Sequence, residues 1–133
     1  MISQQFLELQ EYLREFKHQG ADIQRRADGS YLISVTGVEL PTGWKPRKID
    51  VFFIAPPGYP AAKPDCFWVS PRVRIEATGA IPQNANEGTP LPYDLIQGRP
   101  LTWFSWHLQM WDPNRDRLEQ FYRAIIQRLN PAR

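Results

Sequence analysis

The chain has 133 residues, 42% hydrophobic and 13% aromatic, and a formal net charge of +2. That length suits one domain, residues 1–133, able to bury roughly two-thirds of its unfolded surface. The small charge, with no dominant basic cluster, argues against a nucleic-acid partner, and no apolar run reaches the roughly 20 residues a membrane span needs.

A lone cysteine, Cys66, excludes an internal disulfide and a metal site built on cysteines, so no metal and no cofactor is expected. The start, MISQQFLELQEYL, carries Glu8 and Glu11 inside its apolar pattern and no basic leader, which is unlike a signal peptide. The expectation is a reduced, soluble, cytoplasmic protein.

Ser3 to His18 reads as a helix. Ile2, Phe6, Leu9, Leu13 and Phe16 recur at helical spacing on one face, Gln4, Glu8, Glu11 and Glu15 lie opposite, and Gly20 is the expected stop. The outer stripe is thus acidic, with Arg14, Lys17 and His18 at its edge. Two strands follow, Asp22 to Ala27 and Tyr31 to Gly37, joined at Asp28-Gly29, where a tight hairpin needs positive φ. Val38 to Pro46 is broken by Pro41, Gly43 and Pro46 and reads as a loop or ragged strand end. Lys48 to Ala55 (KIDVFFIA) is apolar on both faces, which places it inside a sheet.

Pro56 to Pro64 lacks several backbone donors and cannot form a regular ladder. Asp65 to Val69 reads as a short fourth strand, with Cys66 as a small core residue. From Ser70 to Pro100 only Val73 to Ala77 looks extended; so long an irregular stretch points to a functional loop or an ordered meander. A last helix is expected from Asp112 as N-cap with Pro113 at its first position, burying Leu118, Phe121, Tyr122, Ile125 and Leu129 and ending at Asn130-Pro131. The whole is an α+β domain: N-terminal helix, four-stranded antiparallel meander, long irregular flap, C-terminal helix.

Two motifs stand in order along this frame: Tyr59-Pro60-Ala61-Ala62-Lys63-Pro64 and Trp111-Asp112-Pro113. With the element order, they make the chain resemble the ubiquitin-conjugating-enzyme (UBC-like) superfamily, whose members carry a Tyr-Pro-x-x-x-Pro turn after the meander and a Trp-x-Pro before the later helices. Gly98, Arg99, Trp103, Ser105, His107, Trp111, Pro113 and Asp116 fit much of the pattern of its divergent bacterial branch, prokaryotic ubiquitin-conjugating-like family E. The resemblance implies a UBC-like fold and a role in a bacterial ubiquitin-like conjugation pathway. Its implied partners are a ubiquitin-like protein, a ubiquitin-activating-like enzyme and a JAB-type metallopeptidase. The superfamily docks its activating enzyme on the first helix through basic residues; the acidic stripe here departs from that.

The resemblance also locates a gap. Counting back from Trp111 to the family's catalytic cysteine lands on Trp103, and the nearest nucleophilic atoms belong to Thr102 and Ser105. A serine needs a base to do a thiolate's work, and His107 is of the right type, since an imidazole titrates near neutral pH. In extended chain Ser105 and His107 project to the same side; in a helix they would lie roughly 200° apart. Ser105, His107 and Thr102 are therefore the candidate catalytic residues: Ser105 or Thr102 carries the ubiquitin-like C-terminus as an oxyester, and His107 acts as base or orienter. The alternative is a catalytically inactive variant that binds a ubiquitin-like protein or a partner enzyme. An unrelated serine hydrolase is a third reading, needing Asp94, Asp112 or Asp116 brought in by the fold to orient His107.

Overall fold

The computed structural model describes residues 2–133. Two helices, α1 (Ile2–Tyr12) and α2 (Leu118–Arg128), share a core with a sheet. The strands are β1 (Gly20–Arg25), β2 (Tyr31–Glu39), β3 (Trp44–Lys45), β4 (Lys48–Ala55), β5 (Phe67–Ser70), β6 (Arg74–Ile75), β7 (Ala85–Asn86) and β8 (Thr102–Phe104). Six of them form an antiparallel sheet in the order β1-β2-β4-β5-β8-β7, while β3 and β6 pair separately. The mixed α+β frame with a helix at each end matches the expectation. The sheet is larger than expected, because β7 and β8 are too short to carry an alternation of their own and exist only through their partners.

Pleating sorts the side chains of β4. Val51, Phe53 and Ala55 join Ile33, Val35, Phe67, Val69 and Phe104 in the core shared with the helices. Phe52 and Ile54 face the other way, where Trp68, Leu91, Leu101 and Trp103 make a second, smaller cluster. The irregular stretch thus covers the far face of the sheet, and this is why KIDVFFIA is apolar on both sides. The expected buried face of α2 is present, with Leu118, Phe121, Tyr122, Ile125 and Leu129 all at most 1% exposed.

Three local readings need correction. Phe6, Leu9 and Leu13 are buried, but Phe16 is 68% exposed. The last turn, Leu13–Lys17, is π-helical, and its wider winding rotates Phe16 off the apolar face. His18, at φ 55°, closes that turn by donating its N–H to Leu13 O, so Gly20 opens β1 instead of stopping the helix. The final helix begins at Leu118, not Asp112. Asp112 caps an isolated turn: its Oδ1 accepts from Asn114 N at 2.9 Å, and its own N–H donates to Asp116 Oδ2 at 2.7 Å.

The start of α2 is held from α1. Gln5, buried at 2% exposure, accepts from Leu118 N at 3.1 Å and from the Tyr59 hydroxyl. Arg117 donates twice to the Glu8 carboxylate, at 2.5 and 3.1 Å. Burial holds the Tyr59 phenol above its ordinary value, so it stays a neutral donor.

Phe104 ties β8 into this core, stacked on Phe67 at 4.6 Å between ring centroids and edge-on to Trp44 at 6.2 Å. Phe104→Ala should cost roughly 3–5 kcal/mol through the cavity it leaves. Urea unfolding followed by tryptophan fluorescence measures this; a loss below about 1 kcal/mol would show that β8 is not anchored there.

Candidate active site

The site is assembled by the β5–β8 ladder. Phe67 pairs with Phe104, Trp68 with Trp103 and Val69 with Thr102. Continued in register, Cys66 would face Ser105. Instead Cys66 N–H donates to Trp106 O at 2.9 Å, a slip of one residue at the end of the ladder. On its other side the segment is held by Ser105 N–H, which donates to Asn84 O at 2.8 Å beside β7. Arg128 of α2 donates to Gln83 O at 2.7 Å, so the support for Ser105 leads back to the helix. Burial lowers the tendency of that guanidinium to stay charged, and the Phe104 ring, with its centroid 5.0 Å from the guanidinium carbon, supplies a cation–π partner.

After Phe104 the chain enters no helix until Leu118, so the large angular separation of a helical segment does not arise. Trp106 packs toward the core, while Ser105 and His107 stay accessible. Ser105 Oγ lies 3.1 Å from His107 Nε2, and His107 Nδ1 lies 2.6 Å from Asp65 Oδ1. With the ring proton on Nδ1, His107 donates to Asp65 and presents Nε2 as an acceptor for the Ser105 hydroxyl. Both His107 and Asp65 side chains are about half exposed, at 53% and 50%. The series is open to a large substrate.

The acid beside His107 is thus none of the three aspartates named from sequence. Asp94 pairs with Arg99 at 2.9 Å, and Asp112 and Asp116 serve the turn before α2. Asp65 is 42 residues from His107 along the chain and reaches it only because β5 lies beside β8. In the sequence it stands only as the first residue of the expected fourth strand, after Pro64. Thr102 is elsewhere: it is 0% exposed, and its Oγ1 accepts from Val73 N at 3.0 Å. That position removes it from the reach of a substrate carbonyl.

The two motifs that define the frame meet each other. Trp111 Nε1 donates to Pro60 O at 2.7 Å, and the Tyr59 and Trp111 rings lie 5.9 Å apart. This contact fixes the chain leaving the site, between His107 and the turn at Asp112. Cys66 is 8% exposed at φ 61°, a left-handed conformation uncommon for a residue with a side chain. Its Sγ, an Asp65 carboxylate oxygen and a His107 ring nitrogen all lie within 4.8 Å of one another.

A family model described as Prokaryotic E2 family E matches residues 8–132, and the chain belongs to that family. Its frame is that of an E2-like fold, and its role is conjugating-enzyme-like, which at a general level involves a ubiquitin-like protein and an activating enzyme. Neither a curated relative nor a solved structure gives a significant match. Among the described residues, no helix is long and apolar enough to cross a membrane.

Burial pushes the Cys66 thiol up from its ordinary value. Less thiolate and little access together predict that iodoacetamide alkylates Cys66 more slowly near neutral pH in the native protein than in urea. Equal rates, followed by mass spectrometry, would mean the thiol is neither shielded nor perturbed.

Proposed function

We propose that this protein accepts the C-terminal carbonyl of a ubiquitin-like protein on Ser105 as an oxyester and passes it to an amine. His107 serves as the general base, and Asp65 orients it. The observation that carries this reading is the Ser105–His107–Asp65 hydrogen-bond series, at 3.1 and 2.6 Å, next to where the fold's usual cysteine would stand. The arrangement has the roles of a nucleophile, a base and an orienting acid, which recur on unrelated folds and are defined by geometry.

In the first half-reaction Ser105 Oγ bonds to the carbonyl carbon of the activated C-terminus, and its proton moves to His107 Nε2. The bond to the activating enzyme's sulfur breaks, and the departing thiolate takes that proton. In the second, an acceptor amine bonds to the same carbon and gives a proton to Nε2. The carbon–Oγ bond breaks and the proton returns to Oγ. Asp65 stabilises the imidazolium formed in each half without taking its proton. An oxyester is less reactive than a thioester, so the base carries more of the work here than beside a thiolate. The half-exposed site leaves room for a protein-sized donor and acceptor. A JAB-type metallopeptidase acting on the finished linkage fits the same pathway.

Incubation with the cognate activating enzyme, ATP and the ubiquitin-like protein should yield a covalent adduct that survives thiol reductant and is cleaved by hydroxylamine. Ser105→Ala should abolish it, and His107→Gln should slow its formation by about 10²–10⁴-fold, the usual contribution of a general base. Thr102→Ser should retain it. A reductant-labile adduct in the Ser105→Ala protein would transfer the role to Cys66. Stable complex formation with no covalent species would identify a catalytically inactive binder of the ubiquitin-like protein.

A further inference from the structure

We propose that Asp65, Cys66 and His107 form a binding site for one zinc-class divalent cation. Among the described residues they are the group of three whose ligand atoms converge, all within 4.8 Å of one another. They come from two backbone segments held together by the Cys66 N–H to Trp106 O bond at 2.9 Å. The donor set is one thiolate, one imidazole and one carboxylate. That mixture suits Zn²⁺ and its borderline neighbours and is wrong for Mg²⁺ or Ca²⁺, which want oxygen alone. With both acids ionised and the imidazole neutral, the ligands carry two negative charges, which a dication neutralises.

Binding needs the ligand atoms to rearrange: they lie within 4.8 Å of one another, and a tetrahedral zinc holds sulfur roughly 3.6 Å from nitrogen or oxygen. Zinc bonds to nitrogen and oxygen of about 2.0–2.1 Å at a tetrahedral angle put those two atoms roughly 3.3 Å apart. Asp65 Oδ1 and His107 Nδ1 are 2.6 Å apart as a hydrogen-bonded pair, and both side chains are half exposed and free to separate. Cys66 is the fixed member, buried at φ 61° with its Sγ within 4.8 Å of the other two ligand atoms. A dication displaces the thiol proton on binding. Three protein ligands leave a fourth position open.

Occupancy would also change the chemistry, and this consequence rests on the Ser105 reading. A metal on the Asp65 side takes Nδ1, which leaves the ring proton on Nε2. His107 then donates toward Ser105 Oγ and no longer accepts its proton. One set of residues would hold either a proton-relay state or a metal state, never both.

Titration of the full chain with Co²⁺, a spectroscopic stand-in for Zn²⁺, tests the site without any activity measurement. The expected result is saturation at one equivalent with an intense near-ultraviolet thiolate-to-cobalt band and tetrahedral visible bands, both removed by stoichiometric Zn²⁺. Cys66→Ala should lose the thiolate band, and His107→Ala, a change at an exposed side chain, should weaken cobalt affinity at least tenfold. Ser105→Ala should keep the full spectrum. Absence of a thiolate band at stoichiometric Co²⁺, or a His107→Ala spectrum and affinity equal to wild type, overturns the site. If the Ser105 adduct never forms while the cobalt spectrum appears, the oxyester reading fails and the metal site stands.

Discussion

The pairing of β5 with β8 is the constraint on which the site depends. Three residue pairs in that ladder place Asp65 and Cys66 beside Ser105, Trp106 and His107, which lie some forty residues later in the chain. The one-residue slip at its end sets which side chains meet, because in a regular ladder alternate residues turn to opposite faces. Here the backbone bond from Cys66 to Trp106 lets Trp106 turn inward while Ser105 and His107 remain accessible. The ladder survives because it sits on an aromatic stack, Phe67 on Phe104 with Trp44 at the edge, inside the shared core. A site on a half-exposed surface therefore owes its geometry to groups that are fully buried.

A second tie links the site to both helices. Tyr59, in the proline-rich turn, touches Trp111 on one side and Gln5 of α1 on the other, and Gln5 also accepts the first N–H of α2. Arg128, near the end of α2, holds Gln83 next to the Asn84 carbonyl that receives Ser105 N–H. α2 is thus tied to both flanks of the Ser105–His107 segment. The two motifs that mark the family are structural in this chain. They fix the approach and exit of the Ser105–His107 segment.

How much of this was legible in the sequence follows from what each element depends on. β4 could be read outright, since its two apolar faces reflect two clusters that both bury it. The β1–β2 turn was equally plain: Gly29 sits at φ 87°, and Asp28 Oδ1 accepts from Ser30 N at 2.9 Å. β7 and β8 were not legible, because strands of two or three residues exist through pairing and carry no period of their own. The start of α2 was misplaced because Asp-x-x-x-Asp can close a lone turn as well as open a helix. Ser105 and His107 stand out in the sequence by type and by distance from Trp111, and the structure brings their side chains together. Asp65 was missed because no local pattern reports a partner across a sheet.

On the proposed reading, a serine in place of a cysteine nucleophile shifts the burden of proton transfer. A thiolate is accessible near neutral pH on its own, whereas a serine hydroxyl must give up its proton as it attacks. The residue that takes that proton must be held with an acceptor nitrogen toward the hydroxyl, so its other nitrogen needs a fixed acceptor. Asp65 meets that requirement at 2.6 Å, in a position a thiol-based site would not require. The one thiol nearby is buried, and that burial pushes its titration up, which leaves it poorly suited to attack a carbonyl in solvent. The hydroxyl and the thiol are thus divided by their surroundings: Ser105 Oγ lies at an accessible position 3.1 Å from His107 Nε2, and the buried thiol lies within 4.8 Å of the acid and the imidazole.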